Sequence, residues 1–361
     1  MRPLSEKTNF VIVGNYNRRF VLANPSRSLL VLYTGGTIGM KENPLTGGLA
    51  PFNITQLERE VPEVLKFGYL LETRPLYPLL DSSDADPSFW IRIAKEIYNN
   101  YDNFDGFVVL HGTDTMAYTA SALSFMLPGL SKPVVLTGSQ LPLGAIRTDG
   151  KENLLGAIEI AAARDTDGNP RVSEVCIFFD HRLFRGNRTT KFGASRFDAF
   201  RSYNYPLLAE AGINIVYNDA VILPWTDAKL NLRTHFDTQV ATLYLFPGMQ
   251  AEYVEAILGM QNLHGVILKT FGAGNAPSAR WFLRAVEAAI KRGVLFVNIS
   301  QCQADEVSMG SYDTGLGLEH MGVLSGGNMT YEAALSKLML ALRAKDTVVE
   351  YLESNIAGER N

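Results

Sequence analysis

The feature that most constrains this chain is a recurring unit: a short run of Val, Ile and Leu that ends in a Gly-rich turn and is followed by a helical pattern. LLVLYT at 29–34, FVVLH at 107–111, PVVLT at 133–137 and VCIFF at 175–179 are such runs, and a fainter strand, LETRPLYPLL, precedes Asp81. Helical stretches follow at Phe89 to Tyr101, Thr115 to Leu127 and Asn153 to Ala163, the first behind Pro87 at its opening turn and Asp86 as N-cap. This alternation predicts an α/β fold with a mainly parallel sheet and crossover helices. The second half repeats it on a smaller scale, with strands at 241–248, 265–271 and 293–300 and a helix from Tyr331 to Leu342. Between the halves, Asn218, Asp219, Pro224 and Asp227 mark a turn-rich join. The expected division is an N-terminal extension at 1–27, a larger α/β domain at 28–217, a linker at 218–238 and a smaller C-terminal α/β domain at 239–361.

Composition narrows the function. In 361 residues, 33 Lys and Arg face 37 Asp and Glu, a net charge of −4. There is no cationic excess to release counterions from a phosphate backbone, so nucleic acid is not an expected partner. No run approaches the roughly 18 apolar residues that a membrane span needs, so no membrane partner is expected either. The two cysteines, Cys176 and Cys302, are far apart without CxxC spacing. That speaks against a disulfide framework and a thiolate metal site, and for a reducing cytoplasm. The histidines at 111, 181, 235, 264 and 320 show no HxH or HExxH spacing and read as surface or hydrogen-bonded core residues. No metal site is expected.

In an open parallel sheet, ligands bind beyond the carboxyl ends of the strands. The loops there are TGGTIG at 34–39, DSSD at 81–84, HGTDT at 111–115, TGSQ at 137–140 and RGNRTTK at 185–191. They supply hydroxyls, glycines, carboxylates and one lysine. Gly35 and Gly36 allow a turn with positive φ that presents Thr37, and a threonine hydroxyl attacks only when a base activates it. Lys191, preceded by Arg185 and Arg188, is the candidate base if burial or those cations hold it near neutrality. Rival signatures fail. There is no GxSxG elbow, Gly144 to Lys151 lacks the spacing and the Ser/Thr of a phosphate loop, and FGAGNAP at 271–277 has Pro277 where a dinucleotide fingerprint needs glycine.

TGGTIG, LLDSSD, GFVVLHGTDTMAYTASALSFML, TGSQLPL and LFRGNRTTK together resemble the motifs of the L-asparaginase family, in particular its type I cytoplasmic bacterial branch. The resemblance implies a larger N-terminal and a smaller C-terminal α/β domain, assembly into homodimers or tetramers, and hydrolysis of asparagine to aspartate and ammonia without cofactor. It makes Thr37 the nucleophile of an acyl-enzyme, and Thr113, Asp114 and Lys191 the second catalytic group. Gly36, Asp81, Ser82, Ser83, Thr113 and Asp114 become the substrate-binding set, with Asp81 as a residue that orients its loop. Family members often carry a tyrosine in the segment after TGGT; residues 38–68 here contain none, and Tyr312 is the candidate replacement. Thr190 and Cys302 match positions of a regulatory asparagine site.

Two other readings remain open at this stage. One is hydrolysis of glutamine, alone or as the ammonia-supplying subunit of a tRNA-dependent amidotransferase, since one methylene gives only roughly 1–3 kcal/mol of discrimination. The other is a non-catalytic amino-acid sensor that keeps the pocket.

Overall fold

The computed structural model describes residues 27–42, 49–51, 57, 61–311, 313–343 and 347–361. Most of the expected N-terminal extension, 1–26, therefore lies outside the described residues. The strands run in chain order β1 (Ser28–Gly35), β2 (Met40–Glu42), β3 (Leu49–Pro51), β4 (Leu70–Leu80), β5 (Gly106–Leu110), β6 (Val134–Thr137), β7 (Val175–Phe179), β8 (Arg182–Arg185), β9 (Thr190–Lys191), β10 (Phe200–Arg201), β11 (Ala209–Ala211) and β12 (Ile215–Tyr217). A second group follows: β13 (Val240–Tyr244), β14 (Gly265–Thr270), β15 (Leu295–Ser300) and β16 (Leu324–Ser325).

Eight strands form the larger sheet in the order β12-β11-β8-β7-β6-β5-β1-β4. From β4 to β7 every pairing is parallel, with Val31 of β1 between Thr73 of β4 and Val108 of β5. Successive residues of β1 bury opposite faces. Leu30 and Leu32 pack with Phe89, Ile93 and Ile97 of helix Pro87–Asn99 and with helix Met116–Met126. Leu29, Val31 and Tyr33 pack with Leu154, Ile158 and Ala161 of helix Gly150–Ala162. Layers on both faces explain the continuous apolar runs of the inner strands. Asp86 caps the first of these helices, accepting from Phe89 N at 3.0 Å, with Pro87 at its opening turn.

The far edge departs from parallel order. β7 turns directly into β8 through Asp180 and His181, both at positive φ, and β8, β11 and β12 add antiparallel strands. Strands of three or four residues with mixed exposure carry no sustained period, which is why the sequence shows only irregular chain after Tyr205. No helix or strand spans 218–239. That segment is nonetheless anchored, with Arg233 N donating to Met126 O at 2.8 Å and Asp237 N to Met339 O at 2.8 Å.

The smaller sheet, β13-β14-β15-β16, is parallel throughout. One face is covered by helices Ala251–Leu258 and Arg280–Lys291, the other by Tyr331–Ala341 and Val348–Glu353. The core on this second face includes Phe125, from a helix of the larger lobe. After it, the chain returns to the larger lobe. Arg185 pairs with Glu174 at 2.5 Å and reaches Gly358 O at 3.3 Å. Arg188 donates to Gly358 O at 2.7 Å, Asn328 Oδ1 at 2.8 Å and Asn361 Oδ1 at 2.9 Å. Lys337, fully buried, donates to Glu359 Oε1 at 2.5 Å and to the carbonyls of Leu352 and Ser354.

Candidate active site

The loops after β1, β4, β5 and β6 meet at the carboxyl end of the larger sheet. Close approach of backbones dictates the glycines. At φ +122°, a Cβ on Gly35 would lie 2.1 Å from Leu80 O, and on Gly36, at φ +84°, 2.5 Å from both N and Cα of Gly112. Only glycine fits there. Thr37 opens the short helix Thr37–Gly39 from this turn and is half-buried; among the described residues none hydrogen-bonds to its hydroxyl.

Asp81 caps its own loop. Its Oδ1 accepts from Ser83 N and Ser83 Oγ, both at 2.9 Å, which lowers the carboxyl pKa. Ser82 is buried, its hydroxyl against Gly112, and its carbonyl accepts from Thr115 Oγ1 at 2.6 Å. Ser83 is exposed. Beneath the loop, His111 is buried between Gly112 O at 2.6 Å and Thr119 Oγ1 at 2.8 Å. Burial pushes its pKa down to about 4, so the imidazole is neutral support.

Thr113, Asp114 and Lys191 are brought into direct contact from positions far apart in sequence. Lys191 Nζ lies 2.9 Å from Thr113 Oγ1 and 2.5 Å from Asp114 Oδ1. The expected cationic neighbours of Lys191 are elsewhere. Arg185 is paired with Glu174 and Arg188 reaches Asn328 and the 358–361 segment, so neither hydrogen-bonds beside Lys191, and the charge paired with it is Asp114. Tyr312 lies outside the described residues. Gln140, quoted in the TGSQ motif without a role, joins the cluster: its Oε1 is 3.2 Å from Thr113 Oγ1.

Thr190 and Cys302 line a different cavity, of about 150 Å³, with Lys269, Tyr331 and Glu332. Thr190 Oγ1 donates to Glu332 Oε1 at 2.6 Å. Burial raises the Glu332 pKa, against the hydrogen bond from Thr190 and the charge of Lys269. A carboxyl raised on folding contributes fully below the ordinary carboxylate range, and that contribution is lost as pH rises through the raised value. Glu332→Gln is expected to flatten this part of the stability–pH curve, and an unchanged slope in thermal melts from acid to neutral pH would refute that assignment. Among the described residues, no group of three or more His, Cys, Asp or Glu could hold a metal ion, and no helix is long and apolar enough to cross a membrane.

A two-lobed α/β protein with hydroxyls, a carboxylate and a lysine at the ends of its parallel strands is the class that fold and geometry define. Residues 28–223 match the family described as asparaginase, N-terminal, and residues 239–352 the glutaminase/asparaginase C-terminal domain. The chain belongs to the asparaginase family. It is 43% identical to L-asparaginase 1 of Escherichia coli K12, over 92% of this chain and 98% of that one. It is 40% identical to the human 60 kDa lysophospholipase, over 93% of this chain and 62% of that one. The crystal structure of L-asparaginase I from Vibrio cholerae aligns with a TM-score of 0.84 at 40% identity, covering 93% of this chain and 99% of that one.

Proposed function

We propose that the protein hydrolyses L-asparagine to L-aspartate and ammonia through an ester on Thr37. Thr37 Oγ attacks the side-chain amide carbon, the C–N bond breaks, and ammonia leaves with a proton taken through the Thr113–Asp114–Lys191 group. Water then cleaves the ester and restores the hydroxyl. Backbone N–H groups of the glycine turn face the developing oxyanion. Asp114 and the Ser82–Ser83 loop receive the ammonium and carboxylate of the free amino acid, while Asp81 keeps that loop in shape. The observation that carries the reading is the pair of hydrogen bonds from Lys191 to Thr113 and Asp114, at the end of the strand next to the one that presents Thr37.

The reading includes a cytoplasmic homodimer or tetramer in which the 28–217 and 239–361 lobes are joined by 218–238, and a second asparagine site in the cavity of Thr190 and Cys302. Free Cys302, exposed, suits a reducing compartment.

Ammonia release measured across concentration series of asparagine and glutamine tests this. A larger specificity constant for asparagine is expected, with a sigmoidal dependence if the second site regulates. A specificity constant for glutamine equal to or above that for asparagine would refute the substrate. Stoichiometric binding of asparagine with no ammonia over hours would replace the enzyme with a sensor.

A further inference from the structure

Thr113 has one hydroxyl proton, and the hydrogen bonds around it fix where that proton points. Lys191 Nζ is ion-paired with Asp114 and, as an ammonium, can only donate to Thr113 Oγ1. On the other side lies Gln140. Its Nε2 faces two backbone carbonyls, Arg196 O at 2.9 Å and Ala194 O at 3.2 Å, which can only accept and so require the donating end of the amide. The amide cannot be reversed without losing both bonds. Oε1 is therefore the atom 3.2 Å from Thr113 Oγ1, and it accepts the threonine proton.

The backbone beneath Gln140 is held as firmly. Gln140 N donates to Asp149 Oδ1 at 3.1 Å and Oδ2 at 3.0 Å, and Leu141 N to Oδ1 at 3.1 Å, just before helix Gly150–Ala162. The other polar side chains of TGSQ are spent elsewhere: Thr137 Oγ1 donates to Phe178 O and Ser139 Oγ to Leu141 O.

We propose that Gln140 is a positioning residue for the Thr113–Lys191 pair, holding the threonine hydroxyl with a lone pair toward the ammonium and its proton away, and tying that orientation to the 194–196 loop. This rests on the reading of Thr113 and Lys191 as catalytic. For Thr113 to hand a proton to Lys191, the lysine must first release one and the hydroxyl must turn from Gln140. Gln140 thus sets the resting state from which proton transfer starts, without touching substrate.

Three variants test it through kcat, KM and pH profiles. Gln140→Leu removes the acceptor and both donors. Gln140→Glu keeps an acceptor for Thr113, but as a carboxylate it cannot donate to the two carbonyls, and it adds a negative charge beside Lys191. The other charged groups there are Asp114 across Thr113, Asp149 under the backbone, and Arg196, paired with Asp198. Gln140→Leu is expected to lower kcat about 10- to 100-fold with less change in KM, less than the roughly 10²- to 10⁴-fold that a proton-transfer group itself contributes, because Gln140 only orients one. Gln140→Glu is expected to shift the pH profile of kcat away from that of the wild type, because a second carboxylate then stands beside the Asp114–Lys191 pair. Wild-type profiles for both, with kcat falling only in proportion to the folded fraction, would overturn the proposal. Thr113→Ala, measured beside them, separates the two layers. If it keeps activity within about tenfold, the catalytic reading and this proposal both fall; if it is inactive while Gln140→Leu matches the wild type, only Gln140 loses its role.

Discussion

Thr37→Ala is expected to lower kcat for asparagine by about 10³-fold or more and to leave the melting temperature nearly unchanged. Both halves of that expectation come from the geometry of the glycine turn. The backbone at 35–37 is set by two positive-φ glycines pressed against Leu80 and Gly112, and not by the Thr37 side chain. Among the described residues, none hydrogen-bonds to the Thr37 hydroxyl, so removing it leaves no buried partner unsatisfied. Thr37→Ser keeps a hydroxyl on the same backbone and is expected to retain part of the activity. Ammonia release within tenfold of wild type in Thr37→Ala would remove Thr37 from the chemistry.

The largest effect on stability is expected at Glu359. Lys337 and Glu359 are both fully buried, and the carboxylate also accepts from the backbone N–H groups of Ile356 and Ala357. Burial lowers the Lys337 pKa while Glu359 raises it, so the ammonium is kept inside the protein by its partner. Glu359→Ala strands that charge, and breaking a buried pair from one side costs about 3–5 kcal/mol. Chemical denaturation of the full chain reads this directly. The control is the double variant Lys337→Met/Glu359→Leu, expected to recover part of the loss, because both charges go together while the Ile356 and Ala357 N–H groups still lose their acceptor. A single variant within about 1 kcal/mol of wild type would show that the pair does not hold the segment.

The parallel strands were legible because their signal is continuous. VCIFF at 175–179 is a strand with the same bounds in the sequence reading and in the fold, and LLVLYT at 29–34 is short of β1 by a single residue at each end. The helix at Pro87 was legible from chemistry alone, an Asp cap followed by proline. Helix Arg280–Lys291 carries Phe282, Val286 and Ala289 at helical spacing, an apolar stripe that is readable in the sequence. The antiparallel edge was not readable, since β11 and β12 have three residues each and mixed exposure.

At the candidate site, the motifs supplied candidate groups but not the partners those groups have in the fold. RGNRTTK offered Arg185 and Arg188 as neighbours for Lys191 on the strength of adjacency, whereas Arg188 contacts residues 140 to 173 positions away. Gln140 stood in plain view in TGSQ, yet nothing local reveals that its amide faces Thr113 on one side and 194–196 on the other. Side-chain hydrogen bonds between loops depend on how strand ends converge, which a linear pattern does not encode.

The return of residues 355–361 to Arg185 and Arg188 bears on how this protein can be divided. Two sheets and two matched family regions invite expression of the larger lobe alone. Such a fragment would lose every partner that Arg188 has beyond its own lobe, and it would bare Phe125, a core residue of the other sheet, on the helix where Tyr118 packs edge-on against Tyr331. The boundary visible in topology is not a boundary of cooperativity: the two lobes are expected to melt in one transition, as a single folding unit completed only when its last-described segment closes over its first sheet.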